Sequence, residues 1–140
     1  MKKILLTCLM LIGLISSAQA DTKKYYPTGE VRFVFPTKIN NKLHGIVTEY
    51  YRNGNVKYKW NYKNGIKNGI AKKYENGSLK FTWFYKNGVR STTTKEYYRS
   101  GHLKYKWRYK RDKLHGISKQ YYKNGKLKAT FRYRYGRLIS

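Results

Sequence analysis

The sequence predicts an all-β chain: one elongated antiparallel sheet of tandem β-hairpins, about 24 residues to the unit. Three observations predict it. Glycines recur in one local context at Gly29, Gly54, Gly77, Gly101 and Gly125, spaced by 25, 23, 24 and 24 residues. Aromatic and aliphatic residues then fall at every second position, the period of a strand whose side chains alternate between two faces. Asn-Gly pairs stand where hairpin turns are needed. Self-similarity at a fixed period of this length is the mark of a repeat architecture.

Residues 1–20 read as a secretory signal peptide. Lys2 and Lys3 precede an apolar run from Ile4 to Ile15, and Ala18 and Ala20 supply the small residues of a cleavage site. The run is too short to span a bilayer comfortably. Cys8, the one cysteine, lies inside the run and not after it, which argues against lipidation there. Cleavage after Ala20 leaves no thiol, so no disulfide is expected in the exported chain. The expected location is outside the cytoplasm: periplasm, cell envelope or secreted.

Residues 21–140 form a single expected domain: a half unit over 25–41, then units over about 42–67, 68–90, 91–114 and 115–138. Two positions after each glycine stand Val31, Val56, Leu79, Leu103 and Leu127. Four on come Phe33, Tyr58, Phe81, Tyr105 and Ala129, and six on Phe35, Trp60, Trp83, Trp107 and Phe131. Eight on come Tyr62, Tyr85, Tyr109 and Tyr133. These columns are assigned to one ring-bearing face. The intervening columns are assigned to the opposite, cationic face: Arg32, Lys57, Lys80, Lys104 and Lys128, then Lys63, Lys86, Lys110 and Arg134. The segments Ile46 to Tyr51, Ile70 to Tyr74, Thr93 to Tyr98 and Ile117 to Tyr122 supply the shorter partner strands. The turns follow at Asn53-Gly54, Asn64-Gly65, Asn76-Gly77, Asn87-Gly88 and Asn124-Gly125, where a type I′ turn needs positive φ at both central residues. Ser100-Gly101 is a weaker version. Unit two is one residue short before Asn76, so a local adjustment is expected there. Turn residues recur too densely for an uninterrupted helix. The half unit and the closing Tyr133-Arg134-Tyr135 are expected to cap the array.

The pattern Tyr-Tyr-x-Asn-Gly, then x-Leu/Val-Lys-x-x-x-x-Tyr-Lys-Asn-Gly, then x-x-x-Gly resembles bacterial MORN repeats of the second type, in proteins grouped with YwqK-like antitoxins. The resemblance covers Lys42 to Leu138, with a half unit from Tyr25 to Phe35. It is specific for architecture and says little about activity; its antitoxin label implies an immunity protein with a toxin as partner. Related repeats accompany a catalytic domain in some methyltransferases, but here the repeats fill the chain. Thr92 replaces the glycine seen at Gly45, Gly69 and Gly116, and Asp112 replaces a turn glycine, so altered turns are expected in unit three.

Charge sets the partner class. Lysine and arginine number 32 against 6 acids, a formal net charge of +26. Such a field opposes compaction and attracts polyanions. Nucleic acid is the usual polyanion, but export makes lipid headgroups and anionic glycans the expected ones. Lysines on an exposed face also discourage edge-to-edge aggregation, so the two columns read either as an anion-binding ladder or as protection. The ring columns read either as the surface that holds hairpins together through cross-strand pairs or as a ligand groove. A single sheet has no second layer to cover that face, so it curls, meets a partner, or stays partly exposed.

No catalytic constellation is found. His44 and His115 occupy equivalent places in Lys-Leu-His-Gly, and His102 stands alone. The six acids, Asp21, Glu30, Glu49, Glu75, Glu96 and Asp112, form no close pair for acid–base work. No metal-ligand spacing, nucleophile elbow or phosphate loop occurs. The reading is a non-catalytic module with no cofactor or metal, binding an anionic lipid or glycan surface or an acidic protein. An immunity protein that docks a toxin and a self-associating envelope scaffold are the alternatives.

Overall fold

The computed structural model describes residues 22–140. The leader expected over residues 1–20, with Cys8, lies outside the described residues. The half unit comprises β1 (Thr22–Tyr25) and β2 (Val31–Phe35), followed by the two-residue strands β3 (Lys38–Ile39) and β4 (Lys42–Leu43). Unit one pairs β5 (Gly45–Tyr50) with β6 (Val56–Lys63), and β7 (Ile66–Lys67) folds back on β6. Unit two pairs β8 (Gly69–Glu75) with β9 (Ser78–Lys86). Unit three pairs β10 (Val89–Tyr97) with β11 (Leu103–Lys110), and β12 (Lys113–Leu114) folds back on β11. Unit four pairs β13 (Gly116–Tyr121) with β14 (Leu127–Arg134), and β15 (Arg137–Leu138) closes the end. Every pairing is antiparallel, and the main sheet runs β1-β2-β5-β6-β8-β9-β10-β11-β13-β14-β15. The expected all-β sheet of tandem hairpins is the fold.

Two turn types alternate. Asn64-Gly65 has φ of 53° and 79°, and Asn87-Gly88 49° and 83°, both positive as a type I′ turn requires. At Asn53-Gly54 only the glycine is left-handed (φ 81°). The Gly54 amide donates to the Tyr51 carbonyl at 3.0 Å and the Tyr51 amide donates to the Asn55 carbonyl at 2.8 Å. This is a three-residue loop, a turn closed by a glycine bulge. Ser100-Gly101 and Asn124-Gly125 repeat it. The type I′ expectation is therefore corrected at Asn53-Gly54, Ser100-Gly101 and Asn124-Gly125. In unit two the missing residue is absorbed as expected: Asn76 (φ 49°) and Gly77 (φ 74°) make a two-residue turn flanked by the pair Glu75↔Ser78.

Unit three departs at one of its two substitutions. Asp112 keeps the turn, with Arg111 at φ 50° and Asp112 at 59°. Thr92 does not adopt the positive φ of Gly45, Gly69 and Gly116, and β10 runs on as one strand where unit one divides into β7 and β8.

The units interlock by register. Val47↔Trp60, Ala71↔Trp83, Thr94↔Trp83, Thr94↔Trp107 and Ser118↔Phe131 are direct partners. The pairs Tyr58↔Lys73 and Tyr105↔Gln120 place Trp60 level with Ala71 and Trp107 with Ser118. One row thus alternates large rings from the long strands with small residues from the short ones. Val47, Ala71, Thr94 and Ser118 are 4%, 1%, 5% and 0% exposed, so the only deep burial in this row lies beneath the rings. The expected cross-strand ring pairs give way to stacking along a strand: Tyr58 on Trp60 at 4.9 Å and Tyr105 on Trp107 at 4.4 Å. Rings on neighbouring long strands are spaced by the short strand between them, with Tyr58–Trp83 an edge contact at 6.3 Å.

Tyrosine hydroxyls tie successive units. Tyr26 donates to the Tyr50 carbonyl at 2.7 Å, Tyr51 to the Tyr74 carbonyl at 3.2 Å and Tyr98 to the Tyr121 carbonyl at 2.9 Å. Unit two has Glu75 where the others have this tyrosine, and there Glu96 of unit three binds Lys80 of unit two at 3.1 Å.

Candidate anion-binding face

A β-bulge in every unit redistributes the cations. In β6, Tyr58 faces Glu49 and Val56 faces Tyr50, leaving Lys57 as the extra residue. Arg32, Lys80, Lys104 and Lys128 are the extra residues at the equivalent shifts. A bulge shifts side-chain parity, because two residues oppose one. All five therefore turn toward the ring face, which corrects the opposite-face ladder expected of this column. The same shift sends Val31, Val56, Leu79, Leu103 and Leu127 to the reverse face, away from the rings they were expected to join.

The turned cations are engaged. Lys57 Nζ lies 3.3 Å from Glu49 Oε1 and 5.5 and 5.8 Å from the rings of Tyr51 and Tyr58. Lys80 and Lys104 share Glu96 Oε1, at 3.1 and 3.7 Å. Arg32 lies over Tyr26 and Phe33, and Lys128 over Tyr122. Further cations cover the ring row: Lys67 lies 5.3 Å from both Trp60 and Tyr85, and Arg90 4.8 Å from Trp83. Cations over aromatic faces are attracted by the ring quadrupole. The ring residues Phe35, Trp60, Trp83, Trp107, Phe131, Tyr62, Tyr85, Tyr109 and Tyr133 share this face by register, and all are half-buried. Burial pushes the hydroxyls of Tyr62 and Tyr109 above the ordinary tyrosine range.

The reverse face differs in kind. Its central row is Thr48, Lys59, Lys72, Thr82, Lys95, Lys106, Lys119 and Thr130. It is linked by the partners Thr48↔Lys59, Lys59↔Lys72, Lys72↔Thr82, Lys95↔Thr82, Lys95↔Lys106, Lys106↔Lys119 and Lys119↔Thr130. The five lysines carry no ion pair, hydrogen bond or ring contact among the described residues. Alternation along the strands puts Glu49, Glu75 and Glu96 on the ring side, while Glu30 and Asp112 sit in turns, so no strand carboxylate balances this row. Lys63, Lys86, Lys110 and Arg134 stand at the strand ends, next to ring-face tyrosines and therefore on the reverse side, and all four are exposed. Beside the lysine row runs a mixed one, in which Ile46 (50% exposed), Ile70 (49%), Phe84 (43%) and Ile117 (42%) stand among Asn61, Arg108 and Arg132. Between β11 and β13 a groove of about 710 Å³ is lined by Lys106, Arg108, Lys110, Ile117 and Lys119, among others.

Aligning the long strands with one another hides this row, because three of its lysines come from short strands. Pairing each short strand with its long partner through the turn would have exposed it.

A long open sheet of hairpins, with rings on one face and uncompensated cations on the other, defines a repeat-built scaffold. Residues 43–64, 67–88, 92–111 and 114–135 each match the MORN repeat variant family, so the chain belongs to that family. MORN repeats are often binding modules. No curated protein and no solved structure matches the chain.

Proposed function

We propose that the chain is a non-catalytic repeat module that binds an anionic partner on its reverse face. One observation carries the reading: Lys59 with Lys72, and Lys95, Lys106 and Lys119 in turn, stand as direct cross-strand partners, the two groups joined through Thr82, with no carboxylate beside them. Opposed like charges on neighbouring strands destabilise a sheet, modestly, unless something anionic meets them. The ring-face cations serve the fold, since Glu49, Glu96 and the rings already occupy them. The leader pattern at the N-terminus supports a site of action outside the cytoplasm, where lipid headgroups and anionic glycans are the available partners.

The test is retention of the purified chain on anionic and neutral vesicles and on anionic and neutral polysaccharide, at low and high salt. Retention confined to the anionic supports and released by salt is expected, because binding to a polyanion releases counterions. Equal retention on charged and neutral supports, or a complex indifferent to salt, overturns the reading; the latter is the behaviour of a protein partner, such as a toxin, docked through buried side chains.

A further inference from the structure

We infer that the anionic partner is a linear acidic polysaccharide, laid across the strands along the lysine row and seated in the groove between β11 and β13. The inference rests on the anion-binding reading and adds the shape and class of the ligand. The lysine row crosses six strands in order, β6-β8-β9-β10-β11-β13, with Lys59, Lys72, Thr82, Lys95, Lys106 and Lys119 as its members, and exposed Arg108 and Arg132 stand beside it on the same face. At about 4.8 Å between strands, the row spans about 24 Å with a cation at most steps. A flat bilayer cannot enter the groove between β11 and β13, whereas a narrow polymer can run along the row and seat there. The row is bordered on one side by Ile46, Ile70, Phe84 and Ile117, set among Asn61, Arg108 and Arg132, and on the other by the half-buried Tyr74 and Tyr97. Cations at most strand crossings, with apolar side chains set among them, match a chain with acid groups at intervals and a less polar body between them.

The same borders disfavour single-stranded nucleic acid. Unstacked bases are held by exposed ring faces. Here the exposed border residues include one ring, Phe84, and the Tyr97 hydroxyl is committed to Thr82 at 3.1 Å. The groove gives the polymer an end point. Lys106, Arg108, Lys110 and Lys119 line it, so four cations converge where the row meets units three and four, beside Ile117.

The experiment titrates the full chain, leader removed if it is cleaved on expression, with polygalacturonate, neutral dextran, a thymidine oligonucleotide and anionic vesicles across a salt series. Two charge-matched variants are compared. Lys106→Thr/Lys119→Thr removes two of the row's five lysines, both of which line the groove, using the residue that the row itself carries at Thr48, Thr82 and Thr130. Lys67→Thr/Lys128→Thr removes two ring-face cations. Polygalacturonate is expected to bind most tightly, with the row variant weakened at least tenfold and the ring-face variant less than threefold. The row variant is also expected to lose about two charges' worth of salt dependence. Tighter binding of the vesicles or the oligonucleotide overturns the polysaccharide assignment and leaves anion binding standing. Equal loss in the two variants overturns the row as the site. Binding to none of the anions overturns both readings. Far-UV circular dichroism of each variant separates lost binding from lost fold.

Discussion

The indole nitrogen of Trp107 donates a hydrogen bond of 3.1 Å to Oε2 of Glu96 on the neighbouring strand. The other oxygen of that carboxylate meets Lys80 and Lys104. Glu96 thus joins three long-strand residues from two units in a side chain that is only 12% exposed. Glu96→Ala is expected to cost about 2 kcal/mol, the scale for leaving a partly buried indole donor and two ammonium groups without their acceptor. Glu49→Ala removes a single lysine contact and should cost less. Urea midpoints of the two variants, with unchanged m-values, check the order.

Trp83 is the counterpart without a partner: its indole nitrogen is buried and makes no hydrogen bond. Replacing a donor that is already unsatisfied removes a desolvation cost. Trp83→Phe should therefore be tolerated within about 1 kcal/mol, despite its smaller ring, while Trp107→Phe loses a made bond and should be clearly worse. Parallel thermal melts of the two variants decide it.

Ala71 lies level with Trp60 and opposite Trp83, and is 1% exposed. A larger side chain there has to displace a ring. Ala71→Leu is expected to cost about 1–3 kcal/mol. The same change at Ile70, whose side chain points to the reverse face and is 49% exposed, should stay within about 0.5 kcal/mol. Denaturant titration of both variants tests whether small residues are required by the row.

Lys95 and Lys106 face each other directly on the reverse side. In the free chain this repulsion works against the sheet. Lys106→Thr should raise stability by about 0.2–1 kcal/mol at low salt, and the gain should fade as salt screens the pair. Melting points over a salt series, without any ligand, give the readout.

Alkaline stability follows from Tyr62 and Tyr109. Burial first, and in Tyr62 the neighbouring Tyr85 second, raises their pKa above the ordinary tyrosine value of 10.0. The folded chain then holds these protons more tightly than the unfolded chain. The stability so gained is complete below about pH 10 and drains away as pH rises through the raised values. Tyr62→Phe/Tyr109→Phe removes both titrations, so its denaturation midpoint should fall less steeply above pH 10.

Much of this fold is legible in the sequence because its signals are local. Tyr58, Trp60 and Tyr62 announce a strand by their spacing, and Asn64-Gly65 announces a turn by its φ demands. Even the missing residue before Asn76 foretells the shorter turn. The bulges are not local. Nothing in Val56-Lys57-Tyr58 says that Lys57 is an extra residue; that emerges only when Glu49 and Tyr50 are counted against it across the loop. With the bulge missed, the first cationic column went to the wrong side and the reverse-face row went unseen. A signal was present in Glu49 and Glu96, two acids set in strands among rings, each needing a cation within reach.

The hydroxyl contacts of Tyr26, Tyr51 and Tyr98 are neutral, so ionic strength should leave those three junctions alone. The junction between units two and three has Glu75 in that place; there the Glu96–Lys80 attraction adds to the neutral Thr82–Tyr97 contact and to a five-pair ladder between β9 and β10, against two pairs between β6 and β8 and between β11 and β13. Brine should therefore weaken one contact at the midpoint without parting the array there, because the strip is stitched most densely across its middle.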